Sequence, residues 1–250
     1  MLYLVGLGLW DPKDITLRGF EIVRNANAVY AEFYTSKLGV GVEELERFFG
    51  RKIEVLKRED LEEKSLKILE KAKKEDIAIL VAGDPMIATT HIALVVEAKK
   101  MGIGTKVVSN AGIINAVCSL TGLQSYRFGK SATVSWHRSR AFIDVVKANL
   151  SIDAHTLLFL DLNPPMKIAD AVERILELEK SLENHFAVGI ARAGSENPAV
   201  KCDRLKKLRE FDFGDPLHTL VILSRKIHFM EFEALRLLAS APEDLKEWVS

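Results

Sequence analysis

The sequence has few cysteines, no surplus of charge of either sign and no long apolar run. Its 250 residues include two cysteines, Cys118 and Cys202, which form no Cys-x-x-Cys pair. A disulfide scaffold, a zinc ribbon and a thioredoxin-type site therefore lack support. Basic and acidic residues number 35 each, so the formal net charge is zero. Composition gives no basis for a general electrostatic hold on nucleic acid or anionic lipid, and we expect neither as a partner.

The longest clean apolar runs have the length of strands. Ile77–Ala82 is one of them, well short of the roughly 20 residues that a membrane-spanning helix needs. The segment from Met1 to Gly6 has no basic region ahead of its apolar residues, so we interpret it as a first strand rather than a signal peptide. With 48% apolar residues, the chain is expected to be a soluble, cytoplasmic globular protein that crosses no membrane.

Short apolar runs alternate with longer segments of helical period along the chain. Strands are predicted at Leu2–Val5, Val29–Phe33, Ile53–Leu56, Ile77–Ala82, Thr105–Ser109, Ala132–Trp136, Thr156–Leu160, Phe186–Arg192 and Thr219–Ser224. Helices are predicted after Thr16, at Val42–Phe49, from Asp60, and at His91–Met101, Ile113–Leu120, Ala141–Leu150, Met166–Leu182 and from Glu231. The run Ile77–Ala82 shows no alternation, which is typical of a strand buried on both faces. The sequence therefore predicts an α/β fold whose N-terminal sheet is mostly parallel, with helices on both faces.

Turn-forming residues cluster between apolar segments near the middle of the chain, at Gly122, Gln124, Ser125 and Gly129. Such clusters are typical of domain boundaries, and 250 residues suit one large or two modest domains. We therefore predict an N-terminal α/β domain over residues 1–125 and a C-terminal α/β domain over residues 126–250.

Glycine-containing turns follow several predicted strands. In Gly6-Leu7-Gly8-Leu9 the third glycine of a dinucleotide-binding fingerprint would fall at Asp11, so we reject that fingerprint. The two glycines still permit a tight turn and close approach of a ligand to the backbone, although a plain turn explains them equally well.

Gly83-Asp84-Pro85 and Asn110-Ala111-Gly112-Ile113 also come directly after predicted strands. Parallel sheets bind ligands beyond the carboxyl ends of their strands. Asp84 is thus predicted either to accept hydrogen bonds from a ligand or to stabilise its own loop.

The usual sequence signals of covalent or metal-assisted catalysis are missing. No serine stands in a Gly-x-Ser-x-Gly elbow, neither cysteine has a nearby histidine, and no histidine pair has metal-binding spacing. We therefore assign no catalytic residue and predict no metal site. His218 is a candidate general base, with contact to a ligand or a structural hydrogen bond as its alternatives.

Taken together in chain order, several motifs resemble those of the archaeal diphthine synthases. In the first half they are Gly6-Leu7-Gly8-Leu9, Asp14-Ile15-Thr16-Leu17, Tyr30 to Ser36, Gly83-Asp84-Pro85 and Ala88-Thr89-Thr90-His91. In the second half they are Leu120 to Gln124, Phe128-Gly129-Lys130, His155 to Leu158, Ala191 to Ser195, Asp212-Phe213-Gly214, His218-Thr219-Leu220 and His228 to Glu231. The resemblance covers essentially the whole chain, and the ordered series is more specific than any one motif.

The resemblance implies a two-domain enzyme of the tetrapyrrole-methylase class that binds S-adenosylmethionine in a cleft between its domains and releases S-adenosylhomocysteine. It implies a homodimer in diphthamide biosynthesis that trimethylates the amino group of a 3-amino-3-carboxypropyl-modified histidine of translation elongation factor 2. The positions that the resemblance implies for cofactor contact are Leu9, Asp84, Ile87, Gly112, Ile113, Leu162, Ala193 and His218.

The chain departs from the family pattern in three places. Many relatives have serine at the position of Gly112, and many have Pro-Pro-His where this chain has Pro216-Leu217-His218. The stretch Trp136 to Arg140 is shorter than in relatives. Two other functions remain open from the residues: a methyltransferase of the same class acting on a precorrin-type macrocycle, and a non-catalytic nucleotide-binding module.

Overall fold

A computed structural model describes all residues from Met1 to Ser250. They form two compact units, Met1–Ile113 and Ile114–Ser250. The domain boundary that we place between residues 125 and 126 stays a prediction. Along the chain, this boundary and the division between the two units both lie after the last strand of the first sheet and before the first strand of the second. None of the helices is both long enough and apolar enough to cross a bilayer.

The first unit contains a five-stranded parallel sheet. Its strands are β1 (Leu2–Gly6), β2 (Ala28–Glu32), β3 (Glu54–Leu56), β4 (Ile77–Val81) and β5 (Thr105–Val108). Their order is β3-β2-β4-β1-β5, and every neighbouring pair is parallel. Every residue of β4 is buried, as its unbroken apolar run predicts. The predicted α/β class and the parallel N-terminal sheet are confirmed.

Helices cover both faces of this sheet. They are α1 (Leu17–Asn25), α2 (Val42–Phe49), α3 (Arg58–Leu61), α4 (Leu66–Ala72) and α5 (Ile92–Lys100). Because side chains alternate along a strand, Leu4 and Ile79 pack against α3, α4 and α5, whereas Val5 and Leu80 pack against α1 and α2. The single helix predicted from Asp60 is instead α3 followed by α4. The N–H of Lys64 donates to the carbonyl of Glu59 at 2.7 Å, a wider turn that interrupts the helical ladder.

The second unit contains a mixed sheet. Its strands are β6 (Ala132–Val134), β7 (Thr156–Leu160), β8 (Phe186–Ala191), β9 (Ala199–Arg204) and β10 (His218–Ile222), in the order β6-β7-β10-β8-β9. The pair β6–β7 is parallel and the other pairs are antiparallel. The sequence does not predict β9. This edge strand mixes apolar and charged residues, and Cys202 is its one buried residue.

The helices of the second half are α6 (Ile113–Thr121), α7 (Ala141–Ser151), α8 (Ile168–Leu178), α9 (Leu205–Leu208) and α10 (Phe229–Leu238). Helix α8 is shorter than the predicted helix Met166–Leu182. Its first turn is fixed by the N–H of Lys167, which donates to Asp170 Oδ2 at 3.0 Å. Glu179 leaves the helical region with φ −148°, and a 3-10 turn follows over Lys180–Leu182. Further 3-10 turns lie at Pro12–Asp14, Ser125–Arg127 and Glu243–Trp248.

A buried carboxylate on α10 joins three segments of the second unit. Glu231 is 0% exposed, and its oxygens accept hydrogen bonds from the N–H groups of Gln124 at 3.0 Å and His228 at 2.9 Å. His155 Nε2 and Arg127 Nε each lie 3.3 Å from the carboxylate. Burial alone would raise the pKa of Glu231, but the hydrogen bonds from His155, Gln124 and His228 outweigh it and lower the pKa. The carboxylate is therefore charged and fully partnered at neutral pH.

Candidate functional site

Two connections of the parallel sheet leave its carboxyl edge in opposite directions. From β1 the chain continues through α1 to β2, which lies on the far side of β4 in the sheet. From β4 the chain continues through α5 to β5, which lies on the far side of β1. Helices α1 and α5 lie on opposite faces of the sheet. The direction of the chain connections thus reverses between β1 and β4, and parallel sheets bind ligands beyond the carboxyl ends of the strands at such a point. The turns Gly6–Leu9 and Gly83–Pro85 lie at this position.

The two glycine turns are bonded directly to each other. The N–H of Gly8 donates to the carbonyl of Gly83 at 3.3 Å, and the N–H of Gly83 donates to the carbonyl of Gly8 at 2.6 Å. Their φ angles are +83° and +76°, a region that glycine adopts without strain. A Cβ on Gly8 would overlap the Cβ of Asp14, and a Cβ on Gly6 would lie 2.7 Å from the carbonyl oxygen of Gly83. The close pairing of the turns thus requires glycine at positions 6 and 8.

Two polar side chains that sequence reasoning did not select hold the first turn. Asp14 Oδ2 accepts hydrogen bonds from the N–H groups of Leu9 and Trp10, both at 2.9 Å. Asn110 Nδ2 donates to the carbonyls of Gly6 at 3.0 Å and Asp14 at 2.9 Å. Both residues stand in motifs noted from the sequence, but nothing in their spacing shows that they meet.

Asp84 links the turns after β4 and β5. Its Oδ1 accepts from the N–H of Met86 at 2.8 Å, and its Oδ2 accepts from the N–H of Asn110 at 3.0 Å. The predicted loop-stabilising role is therefore what the structure shows. Each carboxylate oxygen has a further lone pair, so contact with a ligand stays a prediction for Asp84.

The other predicted contacts of this unit lie beside Asp84 or along the same edge. Gly112 is buried, and a Cβ there would lie 3.7 Å from the backbone nitrogen of Asp84, an ordinary van der Waals contact. Ile87 is 39% exposed, and Ile113 begins α6. The five predicted residues that this edge brings together are Leu9, Asp84, Ile87, Gly112 and Ile113.

The remaining predicted contacts share one edge of the second sheet. In this antiparallel arrangement His218 pairs with Ala191 at the end of β8, and Thr219 pairs with Phe159 near the end of β7. Leu162 follows β7 and Ala193 follows β8. The sheet register therefore brings Leu162, Ala193 and His218 to the same end of the second unit.

A second aspartate, which sequence reasoning also missed, fixes the turn at Leu162. Asp161 Oδ1 accepts from the N–H of Leu162 at 2.8 Å, and Oδ2 accepts from the N–H of Trp136 at 3.1 Å. Trp136 Nε1 donates to the carbonyl of Pro164 at 2.8 Å. The short Trp136 to Arg140 stretch is thus anchored at its start to the turn after β7.

His218 has both ring nitrogens engaged by the backbone. Its Nδ1 accepts from the N–H of Ile168 at 3.1 Å, which requires that Nε2 carry the proton and donate to the carbonyl of Asp215, also at 3.1 Å. Burial lowers the pKa of His218, and the nearby Arg192 lowers it further. The ring is therefore neutral and has no lone pair free for a proton. This geometry disfavours His218 as a general base and leaves contact with a ligand as its predicted role.

The side chain of Arg192 holds the turn that precedes His218 in the chain. Arg192 Nη1 donates to the carbonyls of Phe213 at 2.6 Å and Asp215 at 3.0 Å. No cluster of His, Cys, Asp and Glu in the chain has the arrangement of a metal site. Both edges thus present backbone turns held in place by polar side chains: Asp14, Asp84 and Asn110 at the first edge, and Asp161 and Arg192 at the second.

Known proteins share this fold over their full length. A family model of the tetrapyrrole (corrin/porphyrin) methylases matches residues 1–209. The chain is 55% identical to the diphthine synthase of Archaeoglobus fulgidus over 251 residues, covering 100% of both chains. It is 40% identical to the diphthine methyl ester synthase of Homo sapiens over 281 residues, covering 99% of this chain and 98% of the human one. A crystal structure of diphthine synthase matches with a TM-score of 0.98 at 55% identity, covering 99% of each chain.

Proposed function

We propose that this chain, which belongs to the diphthine synthase family and is an S-adenosylmethionine-dependent methyltransferase, acts on translation elongation factor 2. The acceptor is the amino group of a 3-amino-3-carboxypropyl-modified histidine, and the product is its trimethylammonium form. The full-length similarity to diphthine synthases carries this proposal. We also propose that the enzyme is a homodimer, which sedimentation analysis will test.

The bare backbone at the end of the parallel sheet fits a nucleotide-sized methyl donor. A Cβ on Gly83 would meet only the Cα of Gly112, at 3.8 Å, so main chain rather than side chain faces this space. Ile87 adds an exposed apolar side chain beside it. The residues that we propose for donor contact are Leu9, Asp84, Ile87, Gly112, Ile113, Leu162, Ala193 and His218.

Positioning is the chemistry that these residues supply. The sulfonium of the donor activates its methyl group. In each transfer the lone pair of the neutral amine forms a carbon–nitrogen bond as the carbon–sulfur bond breaks and its electrons return to sulfur; the nitrogen releases a proton to solvent before each attack. Fixing two reactants in line contributes about 7–11 kcal/mol in favourable systems. The turns held by Asp14, Asp84, Asn110 and Asp161 suit this task because their carboxylate and amide groups are committed to backbone partners.

Mass spectrometry of elongation factor 2 tests this proposal. After incubation with the enzyme and labelled S-adenosylmethionine, we expect three methyl groups on the amine of the modified histidine. A further methyl that mild alkali removes would instead indicate the ester product that the name of the human relative describes. Transfer to a precorrin-type macrocycle but not to the factor would overturn the proposal, as would binding of nucleotides without any binding of S-adenosylmethionine.

Asp84→Ala is expected to weaken S-adenosylmethionine binding about tenfold while the protein stays folded. The change removes the hydrogen bond between the turns after β4 and β5, and a hydrogen bond to a charged group is worth about 1.5–3 kcal/mol. Calorimetric titration measures the affinity. Asp60→Ala is the matched control because Asp60 Oδ2 also accepts a backbone N–H, that of Lys57 at 2.9 Å, outside the glycine turns. Unchanged affinity in Asp84→Ala would restrict Asp84 to a role in its own loop.

A further inference from the structure

A buried acidic residue lies at the end of β2, beside the strand that carries the Asp84 turn. Glu32 is 0% exposed. Its Oε2 accepts hydrogen bonds from the N–H groups of Tyr34 and Thr35, both at 3.1 Å, and its Oε1 accepts from the hydroxyl of Thr35. His91 Nε2 lies 3.5 Å from the same Oε1.

His91 connects this carboxylate to the loop after β4. The ring is 2% exposed, and its Nδ1 lies 3.1 Å from the carbonyl of Pro85. A carbonyl can only accept, so Nδ1 carries a proton and donates. Nε2 faces Glu32 Oε1 at 3.5 Å, and this buried nitrogen has no hydrogen-bond partner. Such an unpartnered buried nitrogen calls for an explanation.

The loop between Asp84 and His91 contains a residue in an unfavourable backbone conformation. Ala88 has φ +57°, a left-handed conformation that is unfavourable for a residue with a Cβ. Conformations of this kind persist where the surroundings determine them. At its start the loop is held by Asp84 and its contact with Asn110; at its end it is held by His91 against Glu32. Ile87 projects from the segment between these two supports.

The aromatic ring of Tyr34 covers the pair. Tyr34 and His91 meet edge to face with ring centroids 6.4 Å apart, and the guanidinium carbon of Arg58 lies over the Tyr34 ring, 5.0 Å from its centroid. Burial raises the pKa of Tyr34 to about 12, with further contributions from Glu32 and Glu62. The phenol of Tyr34 is therefore neutral at physiological pH.

We propose that Glu32 and His91 are positioning residues that hold the Asp84–His91 loop, and with it Ile87, in the conformation that binds the methyl donor. The inference rests on the proposed function, since it takes this loop to be part of the S-adenosylmethionine site. Neither residue touches the reacting atoms; both act through the loop. Their loss should therefore raise KM for the donor and leave kcat at saturating donor unchanged.

Two substitutions of His91 separate its two contacts. His91→Asn keeps a donor near the position of Nδ1, for Pro85, and removes the group that faces Glu32. His91→Gln places a donor near the position of Nε2, for Glu32, and gives up the bond to Pro85. We expect His91→Asn to raise the donor KM and Kd about tenfold with kcat within about twofold of wild type, and His91→Gln to recover most of the affinity.

A buried histidine of the second unit provides the control for general destabilisation. His185 is 4% exposed, and its Nε2 bonds to the carbonyl of Leu223 at 2.7 Å. His185→Asn should lower the melting temperature and leave the donor KM unchanged. If His91→Asn behaves in the same way, or if His91→Gln binds the donor more weakly than His91→Asn, the positioning role of the pair is wrong.

Wild-type protein keeps the proposal testable if a variant does not fold. The ring-nitrogen NMR signals of His91 should show a proton on Nδ1, and the Nε2 signal should move when S-adenosylmethionine is added. A Nε2 signal that does not move at saturating donor would overturn the inference. Wild-type protein that fails to bind S-adenosylmethionine would overturn the proposed function itself, whereas wild-type binding with unaffected variants would overturn only the role of Glu32 and His91.

Discussion

Gly8→Ala is expected to reduce the affinity for S-adenosylmethionine by at least about a hundredfold. The φ angle of Gly8 is +83°, and a Cβ there would overlap the Cβ of Asp14. Asp14 must then move, and its hydrogen bonds to the N–H groups of Leu9 and Trp10 are lost. Two hydrogen bonds to a charged group are together worth about 3–6 kcal/mol, so the whole turn is expected to shift. Calorimetric titration with the donor measures the effect.

Gly102→Ala is the matched control for this substitution. Gly102 has a similar φ of +71°, but a Cβ there would meet nothing within 4 Å. This variant should lose only the roughly 1–2 kcal/mol that a left-handed alanine costs, as measured by urea unfolding, and should bind the donor like wild type. Equal binding by the two variants would show that the Gly8 turn does not contribute to the donor site.

Glu231→Ala is expected to lower the free energy of unfolding by about 3–5 kcal/mol, the cost of breaking a buried ion pair. The substitution leaves the half-buried Arg127 without its carboxylate and removes the acceptor for the N–H groups of Gln124 and His228. Because the pKa of Glu231 is lowered, its contribution is present at neutral pH and is lost as the pH falls through that pKa. Urea unfolding at neutral and acid pH measures both effects.

The same helix offers the control for Glu231. Glu233 pairs with Arg236 at 2.8 Å, and these side chains are 45% and 39% exposed. An exposed pair of this kind contributes at most about 1 kcal/mol, so Glu233→Ala should unfold close to wild type at either pH. Similar losses from the two substitutions would contradict the central role of the buried carboxylate.

The fold could be predicted from the sequence wherever burial leaves a simple pattern. The central strands of the parallel sheet, β1, β2 and β4, are mostly buried, and all five of its strands were predictable to within a residue or two. The exception among all strands is β9, an edge strand with one buried residue and three charged ones. The mixed direction of the second sheet also carries no local signal, because it depends on which strands pair across long stretches of chain.

The arrangement of the candidate site was predictable in its glycines and less so in its polar groups. A glycine after a buried strand indicates a close approach, and Gly6, Gly8 and Gly83 do form one. Asp14 and Asn110 lie 2.9 Å apart, from backbone oxygen to side-chain nitrogen, yet far apart in the chain. Sequence spacing cannot show such contacts. In the same way, the pairing of His218 with Ile168 and Asp215 is visible only in the folded protein.

The register of β1 against β4 bears on how the chain tolerates changes in length. Gly6 stands opposite Val81, so both turns start from the same level of the sheet. Deleting one residue inside β1 would shift this level and reverse the facing of every side chain beyond it. An insertion in the connection between α1 and β2 would be taken up on the surface before the next strand begins. Divergent relatives should therefore differ in the lengths of their surface connections while keeping the lengths of β1 and β4.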